Sequence, residues 1–166
     1  MSGSFPPLPD ELVALVQGGV SLLTGTCSPD LVPECVRGAG VRVWPGACRL
    51  TVLMPKATGE IAIANLRANG RLAVTMSQVE THRTVQVKGR TLAIRDGDEA
   101  DRELSTRYGA AFRASLSWVG IPEGITRGLT LWPVWAIDLE IEHVFAQTPG
   151  PVAGVKMPLP AGAGPL

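Results

Sequence analysis

The 166-residue sequence predicts a mainly β domain with a few helices, arranged as an antiparallel meander or barrel. Three observations predict it. Between residues 20 and 54, short apolar β-prone segments alternate with turn residues. Two later segments, His82–Ile94 and the stretch from Pro133 to Phe145, alternate apolar and polar side chains with the period of a strand. Helical spacing is confined to a few stretches.

Residues 10–18, DELVALVQG, read as a short helix opened by acidic residues, with Leu12, Val13 and Val16 on one face. Val20–Thr26, Leu31–Val36, Gly40–Trp44 and Arg49–Met54 follow as strands, interrupted by Pro33 and the Gly38-Ala39-Gly40 turn. In TGEIAIANLRANG the period becomes helical: Ile61, Ala62, Asn65 and Leu66 recur on one face, Thr58 is the expected N-cap and Gly70 the stop. Strands return at Arg71–Ser77 and His82–Ile94. In the second, Val85, Val87, Gly89 and Ala93 share a face, and Thr84, Gln86, Lys88 and Arg90 share the other. A strand with one hydrogen-bonding, basic face suits a barrel wall beside a polar ligand, or an ordinary solvent-facing strand. Gly89 suggests a bulge or a close backbone approach.

Asp96 to about Phe112 reads as a helix with an acidic start and a buried stripe of Leu104, Tyr108 and Ala111. Ser115–Gly128 reads as loop. In Leu129–Phe145, Trp135, Ile137, Leu139 and Ile141 share one face; Asp138, Glu140 and Glu142 share the other. The expected division is an arm at residues 1–9, one domain at 10–146, and a Pro/Gly-rich tail at 147–166 that builds no core.

Composition narrows the function. Hydrophobic residues make up 45% of the chain, enough for a packed core. No apolar run approaches the ~18 residues of a membrane span. The N-terminus has no basic region ahead of an apolar stretch, so no secretory signal is expected and the expected location is cytoplasmic. Cys27, Cys35 and Cys48 read as free thiols, packed as small hydrophobes. With His82 and His143 they match no usual zinc spacing, so no metal site is expected. A Cys48–His82 nucleophile pair has nothing in the sequence to support it.

Net charge is zero, but unevenly spread. From Arg37 to Arg95 the chain carries ten basic residues and two acidic ones, so the remainder holds an equal acidic surplus. The asymmetry fits an anion site, or strands and remainder that neutralise one another across the fold. Zero net charge and 5% aromatic residues disfavour nucleic acid. No dinucleotide, phosphate-loop, nucleophile-elbow or zincin motif occurs.

The informative block is RLTVLM at 49–54, LRANGRLAV at 66–74 and HRTVQVKGR at 82–90. In order and spacing it resembles the flavin mononucleotide (FMN)-binding split barrel of the pyridoxamine 5′-phosphate oxidase family. That family has an Arg-bearing strand, a helix ending L-x-x-N-P-x-x-A, and a strand R-Q-V-x-V-x-G. Here Asn69 and Ala73 stand at the helix end and next strand, and Arg83, Val85, Val87 and Gly89 match the last motif. The resemblance covers roughly residues 10–145, most specifically in its middle third.

It implies a six-stranded antiparallel split barrel whose two copies form two cofactor sites at their interface. It places Arg49 near the flavin phosphate, and Thr51 and Val52 along the ring through main-chain contacts. Thr84 takes the place of the family's flavin-contacting Gln, with Gln86 two residues on. The usual Lys after the first strand is Met54, and an Arg-Lys pair at the helix start is replaced by Ile61 and Ala62. Lys56, Lys88 or the N-terminus of the 59–69 helix are the candidates to replace the lost charge. The implied function is FMN binding by a dimeric, flavin-dependent oxidoreductase that does not act on pyridoxamine phosphate, with no acid or base assigned. Alternatives are a non-enzymatic ligand-binding or sensor barrel, a deazaflavin site, or a haem-handling barrel using His82 or His143. Trp132, Trp135 and the 129–145 strand supply apolar surface for a second copy.

Overall fold

A computed structural model describes residues 8–158 apart from Ala47, Gly128 and Thr130. The chain runs α1 (Asp10–Val16), β1 (Ser21–Cys27), β2 (Pro33–Arg37), β3 (Gly40–Val43), β4 (Arg49–Pro55), α2 (Glu60–Asn69), β5 (Arg71–Ser77), β6 (Thr84–Asp96), α3 (Glu99–Trp118), α4 (Glu123–Thr126), β7 (Val134–Ala146) and β8 (Lys156–Met157). Neighbouring strands are antiparallel in the order β2-β1-β5-β6-β7-β4-β3, and β8 adds to β7.

The two ends of that order, β2 and β3, are separated by only two residues. At this corner the Gly38 N–H donates to Leu22 O on β1 (2.9 Å), and the Ala39 N–H donates to Leu53 O on β4 (2.7 Å). One bent segment therefore crosses from one sheet edge to the other and closes the barrel. A side chain at 38 would press to 2.4 Å from Leu22 Cδ2, which is why glycine stands at the bend. Six strands were expected; seven and the two-residue β8 are present among the described residues, because the corner divides one bent strand into β2 and β3.

Leu22, Leu50, Val52, Met54, Val74, Met76, Val85, Val87, Ile137, Leu139 and Ile141 fill the core. The 10–18 helix ends at Val16. In α2, Ile63 rather than Ile61 joins Ala62, Asn65 and Leu66 inside; Ile61 is 63% exposed. Gly59, not Thr58, holds the N-cap position, and Gly70 closes the helix as expected. β6 continues to Asp96, so α3 starts later than expected and runs through the stretch read as loop to Trp118. Its buried face is Asp101, Ser105, Tyr108 and Phe112; Ala111 is exposed.

α3 covers the outer side of the β3–β4 region. There Leu53, Ala39, Val134 and Ala136 form a second small core beneath Leu104, Leu131 and Trp132. β4 is consequently buried on both faces. The α3 start is held by a reciprocal Asp98–Asp101 capping box. Asp101, fully buried, also receives Arg42 Nη2 at 2.7 Å and Arg95 Nη1. Burial would raise its pKa, but the hydrogen bonds from Arg95 and the Asp98 main chain, with the charges of Arg95 and Arg42, outweigh it and hold the carboxyl below its ordinary 3.8.

The expected tail also differs. The Gln147 N–H donates to Thr84 O, Thr148 Oγ1 accepts from the Thr84 N–H, and β8 pairs with Val144 and Phe145 of β7. Residues 147–157 thus fold back along β7 where β4 has ended. Leu8, expected in the arm, is buried. The rest of the arm (1–7) and tail residues 159–166 lie outside the described residues.

Candidate functional site

On β6 the alternation holds through residue 90: Val85, Val87 and Gly89 are buried, while Thr84, Gln86, Lys88 and Arg90 point outward. Register extends this polar face across the sheet in rows. One row is Gly25, Ala73, Lys88 and His143, on β1, β5, β6 and β7. Beside it run Leu23, Thr75, Gln86 and Phe145. On its other side run Arg71, Arg90, Glu140 and Arg49, the last on β4. Gly25 and Ala73 leave the middle row low between longer neighbours. A groove of about 390 Å³ results, lined by Gly25, Cys27, Arg71, Ala73, Lys88 and His143 with their neighbours. That volume lies within the range of small-molecule sites.

A bulge shapes this face. Lys88 pairs with His143 and Gly89 with Ile141, so Glu142 is the extra residue on β7. Glu142 leans across to Arg71 (2.6 Å) and Arg90 (3.8 Å). The bulge needs glycine opposite, since a Cβ on Gly89 would lie 1.9 Å from Glu140 O. The close backbone approach suggested for Gly89 is therefore present. It also shifts the β7 alternation by one, burying Val144 while Glu142 and His143 both face out. A second shift, between Thr91 and Ala93, removes Ala93 from the inner face where it was expected.

Lys88 and His143 line the groove, while Gln86, Thr84 and Arg49 stand on the same sheet face outside it, and the polar groups of the face divide into engaged and unengaged. Gln86 Nε2 donates to Thr75 Oγ1 (2.9 Å), and the Thr84 hydroxyl lies 2.9 Å from both Ser77 Oγ and His82 O. Lys88 Nζ stands 5.1 Å from the centre of the Phe145 ring and, like Arg49, forms no ion pair among the described residues. Nδ1 of His143 is buried without a hydrogen-bond partner among them.

The remaining candidates are placed elsewhere. Thr51 is buried; its Oγ1 accepts from Trp44 Nε1 (2.9 Å) and donates to Asp138 Oδ1 (2.7 Å). Thr51 and Val52 both lie in ladders with β3 and β7, so their main chain is engaged on both sides. Lys56, at the far end of β4, pairs with Asp96 and stands 5.7 Å over the Trp135 ring. Thr84 is on the Lys88 face, but about 20 Å along the sheet from Arg49 at ~3.3 Å per residue. The structure therefore groups Gln86, Lys88 and, at the edge, Arg49 and Thr84. It leaves Lys56, Thr51 and Val52 apart.

Of the positions where the family carries cations, Met54 and Ala62 are buried and Ile61 is exposed on α2. The α2 N-terminus carries Glu60 in its first turn, which opposes an anion there. Much of the basic middle segment is neutralised across the fold: Arg42 and Arg95 by Asp101, Arg83 by Glu11, Lys56 by Asp96, Arg71 and Arg90 by Glu142. Cys48 is buried and its thiol is pushed up to about 11, first by burial and then by Glu140. It belongs to the main core cluster, whereas His82 is exposed in the β5–β6 turn. Cys35 is exposed, against the expectation of packed thiols.

Sequence reasoning missed Arg71, Glu142, Gly25 and Ala73 as lining residues, while His143, a candidate only for haem, does line the groove. The signal available was two small residues, Gly25 and Ala73, on the polar side of neighbouring strands.

No family model matches the sequence, and no curated protein matches it. Solved structures match across most of its length. A putative pyridoxamine 5′-phosphate oxidase from Lactobacillus delbrueckii matches with TM-score 0.53 at 20% identity, covering 84% of this chain and 94% of that one. HupZ from Group A Streptococcus matches with TM-score 0.54 at 15% identity, covering 88% of this chain and 98% of that one. At such identities the likeness speaks to fold: the chain is a split barrel of the pyridoxamine 5′-phosphate oxidase-like type.

Proposed function

We propose that this chain binds FMN weakly, as a two-copy split barrel, and acts as a flavin-dependent oxidoreductase on a substrate other than pyridoxamine phosphate. The observation that carries the reading is the outward face of β1, β5, β6 and β7. The row Gly25, Ala73, Lys88 and His143, low at its two small members, runs there between the rows of Gln86 and Arg49, with Lys88 and Arg49 holding no ion pair among the described residues.

The residues fit the group in a reduced form. Arg49 and Lys88 would hold the phosphate, and Gln86 and Thr84 would serve the ring's polar edge. A bound flavin supplies hydride chemistry, and the protein supplies orientation and hydrogen bonds. Met54 and Ala62, both buried, and Ile61 supply no charge to a phosphate. Losing two charge-assisted contacts at about 1.5–3 kcal/mol each weakens binding by roughly two to four powers of ten. The expected dissociation constant is of order 1–100 μM. The protein should purify pale or colourless and take up added FMN. No saturable uptake at millimolar FMN would end the flavin reading.

The polar groove and the apolar side chains around it are expected to face a second copy of the chain. Sedimentation at micromolar concentration should give twice the 17.5 kDa chain mass. A species of one chain mass alone would exclude the two-copy arrangement.

One observation favours haem as a second reading: His143 lines the groove. Against it, ligating histidines usually have their other ring nitrogen hydrogen-bonded, and Nδ1 of His143 has no such partner among the described residues. His82 is exposed in the β5–β6 turn. A Soret band on adding haemin, lost in His143→Ala, would favour haem. Flavin fluorescence quenching with no such band favours FMN.

A further inference from the structure

The α1–β3–α3 side of the barrel holds a second cavity, of about 430 Å³, away from the polar sheet face. Val16 and Val41 are buried in its floor together with the Tyr108 ring. Tyr108 contributes no hydroxyl, because its O–H donates to Val20 O at 2.7 Å. Leu104 and Ala111 complete the apolar wall, and Gln17, Arg42 and Arg107 stand at the mouth. No carboxylate lines the cavity among the described residues.

The two arginines differ in a useful way. Arg42 is anchored from behind by the buried Asp101, through Nη2 at 2.7 Å, yet its side chain keeps 33% of its exposure. A guanidinium held through one corner presents its remaining N–H groups in a set direction. Arg107, one turn from Leu104 on α3, is exposed and forms no ion pair among the described residues. An apolar floor under two cations, one pre-oriented and one unpaired, is complementary to a small anion with an apolar body.

We infer that this cavity binds a small amphipathic carboxylate, its ring or chain against Val16, Val41 and Tyr108 and its carboxylate against Arg107 and Arg42. The site shares no lining residue with the groove on the sheet face, so it stands or falls separately from the flavin reading.

The probe is phenylacetate, with phenylacetamide as its uncharged counterpart, titrated into the isotopically labelled full chain. Amide shifts of Val16, Gly18, Val41 and Tyr108 should saturate with phenylacetate, and the amide should bind at least about tenfold more weakly. Arg107→Ala removes an exposed side chain, so its melting temperature should stay unchanged while phenylacetate affinity falls about tenfold. Arginine stays charged throughout, so the affinity should be flat from pH 6 to 9. Equal affinity for acid and amide, saturating shifts confined to the sheet-face groove, no saturation at all, or unchanged affinity in a folded Arg107→Ala protein would each overturn the proposal.

Discussion

The two sides of the barrel use the same strand alternation and reach opposite ends. On the β3–β4 side, α3 lies over outward residues, so Leu53 and Ala136 are buried and charges there are tied to one another through Asp101. On the β5–β6–β7 side no helix among the described residues covers the outward residues. Polar side chains remain half-exposed there, and two cations keep no ionic partner among the described residues. Covering elements, more than strand sequence, decide which face can take a ligand. The covered side is expected to carry stability and the open side recognition, and substitutions can separate the two.

The largest effect is expected at the seam between them. Gly89→Ala would drive a Cβ into the Glu140 carbonyl, main chain against main chain, with no flexible side chain to yield. The bulge that turns Glu142 outward would have to open. A loss of at least about 4 kcal/mol in denaturant-measured stability is expected, beyond the usual range for one methyl group. A loss under about 1 kcal/mol would mean that the two strands part easily and that the bulge is not held by glycine.

Next comes Asp101 on the covered side. Asp101→Asn leaves two arginines that can still reach water, so the cost should sit below that of a fully buried broken pair, at about 2–3 kcal/mol. Its carboxyl titrates below its unfolded value, so this contribution is complete above the ordinary 3.8 and fades as pH falls through the folded value. Stability curves of the parent and Asp101→Asn should therefore run apart at neutral pH and converge in acid. Glu142→Gln on the open side breaks partly exposed pairs and should cost under about 1 kcal/mol.

Thr51 tests the middle range. Thr51→Val keeps the volume but removes a hydroxyl that joins Trp44 to Asp138. Trp44 is partly exposed and can turn to water, so about 1–1.5 kcal/mol is expected. Flavin affinity should not change, because the resemblance assigned this position main-chain contacts only. A drop in affinity without a drop in stability would return Thr51 to the ligand.

The parts of this contrast legible in the sequence were those governed by local period. The β6 faces, the inward run Ile137, Leu139 and Ile141, the Gly70 stop and the need for glycine at 89 all follow from side-chain alternation or backbone sterics. What was not legible depends on residues far apart in sequence. Ile61 and Ile63 are equally apolar, and only the position of β1 and β5 against α2 decides which is buried. Ala111 lies at the edge of the 101–105–108–112 face, and only the seating of α3 against β3 decides which stripe of the helix is buried. Glu142 and His143 looked like an ordinary alternating pair until the bulge put both outside. Proline and glycine in 147–157 read as a tail, although β7 had a free edge beyond Glu140 for them to pair with.

The smallest stability effect is expected where the functional effect should be plainest. Ala73 sits in the low row between Gly25 and Lys88, half-exposed on a strand. Valine suits an exposed strand position, so Ala73→Val should change stability by less than about 0.5 kcal/mol. The two added methyl carbons would stand in the floor of the groove and hold a flat ring off the sheet. FMN and riboflavin should lose affinity together, since both carry the ring. Arg49→Ala should weaken FMN by about ten- to a hundredfold and riboflavin little, since only FMN carries the phosphate. Titrating both ligands into both variants therefore separates ring from phosphate. If Ala73→Val left both affinities unchanged in a folded protein, the groove would not be where the ring lies, and the open face would be left as a surface for a second copy alone.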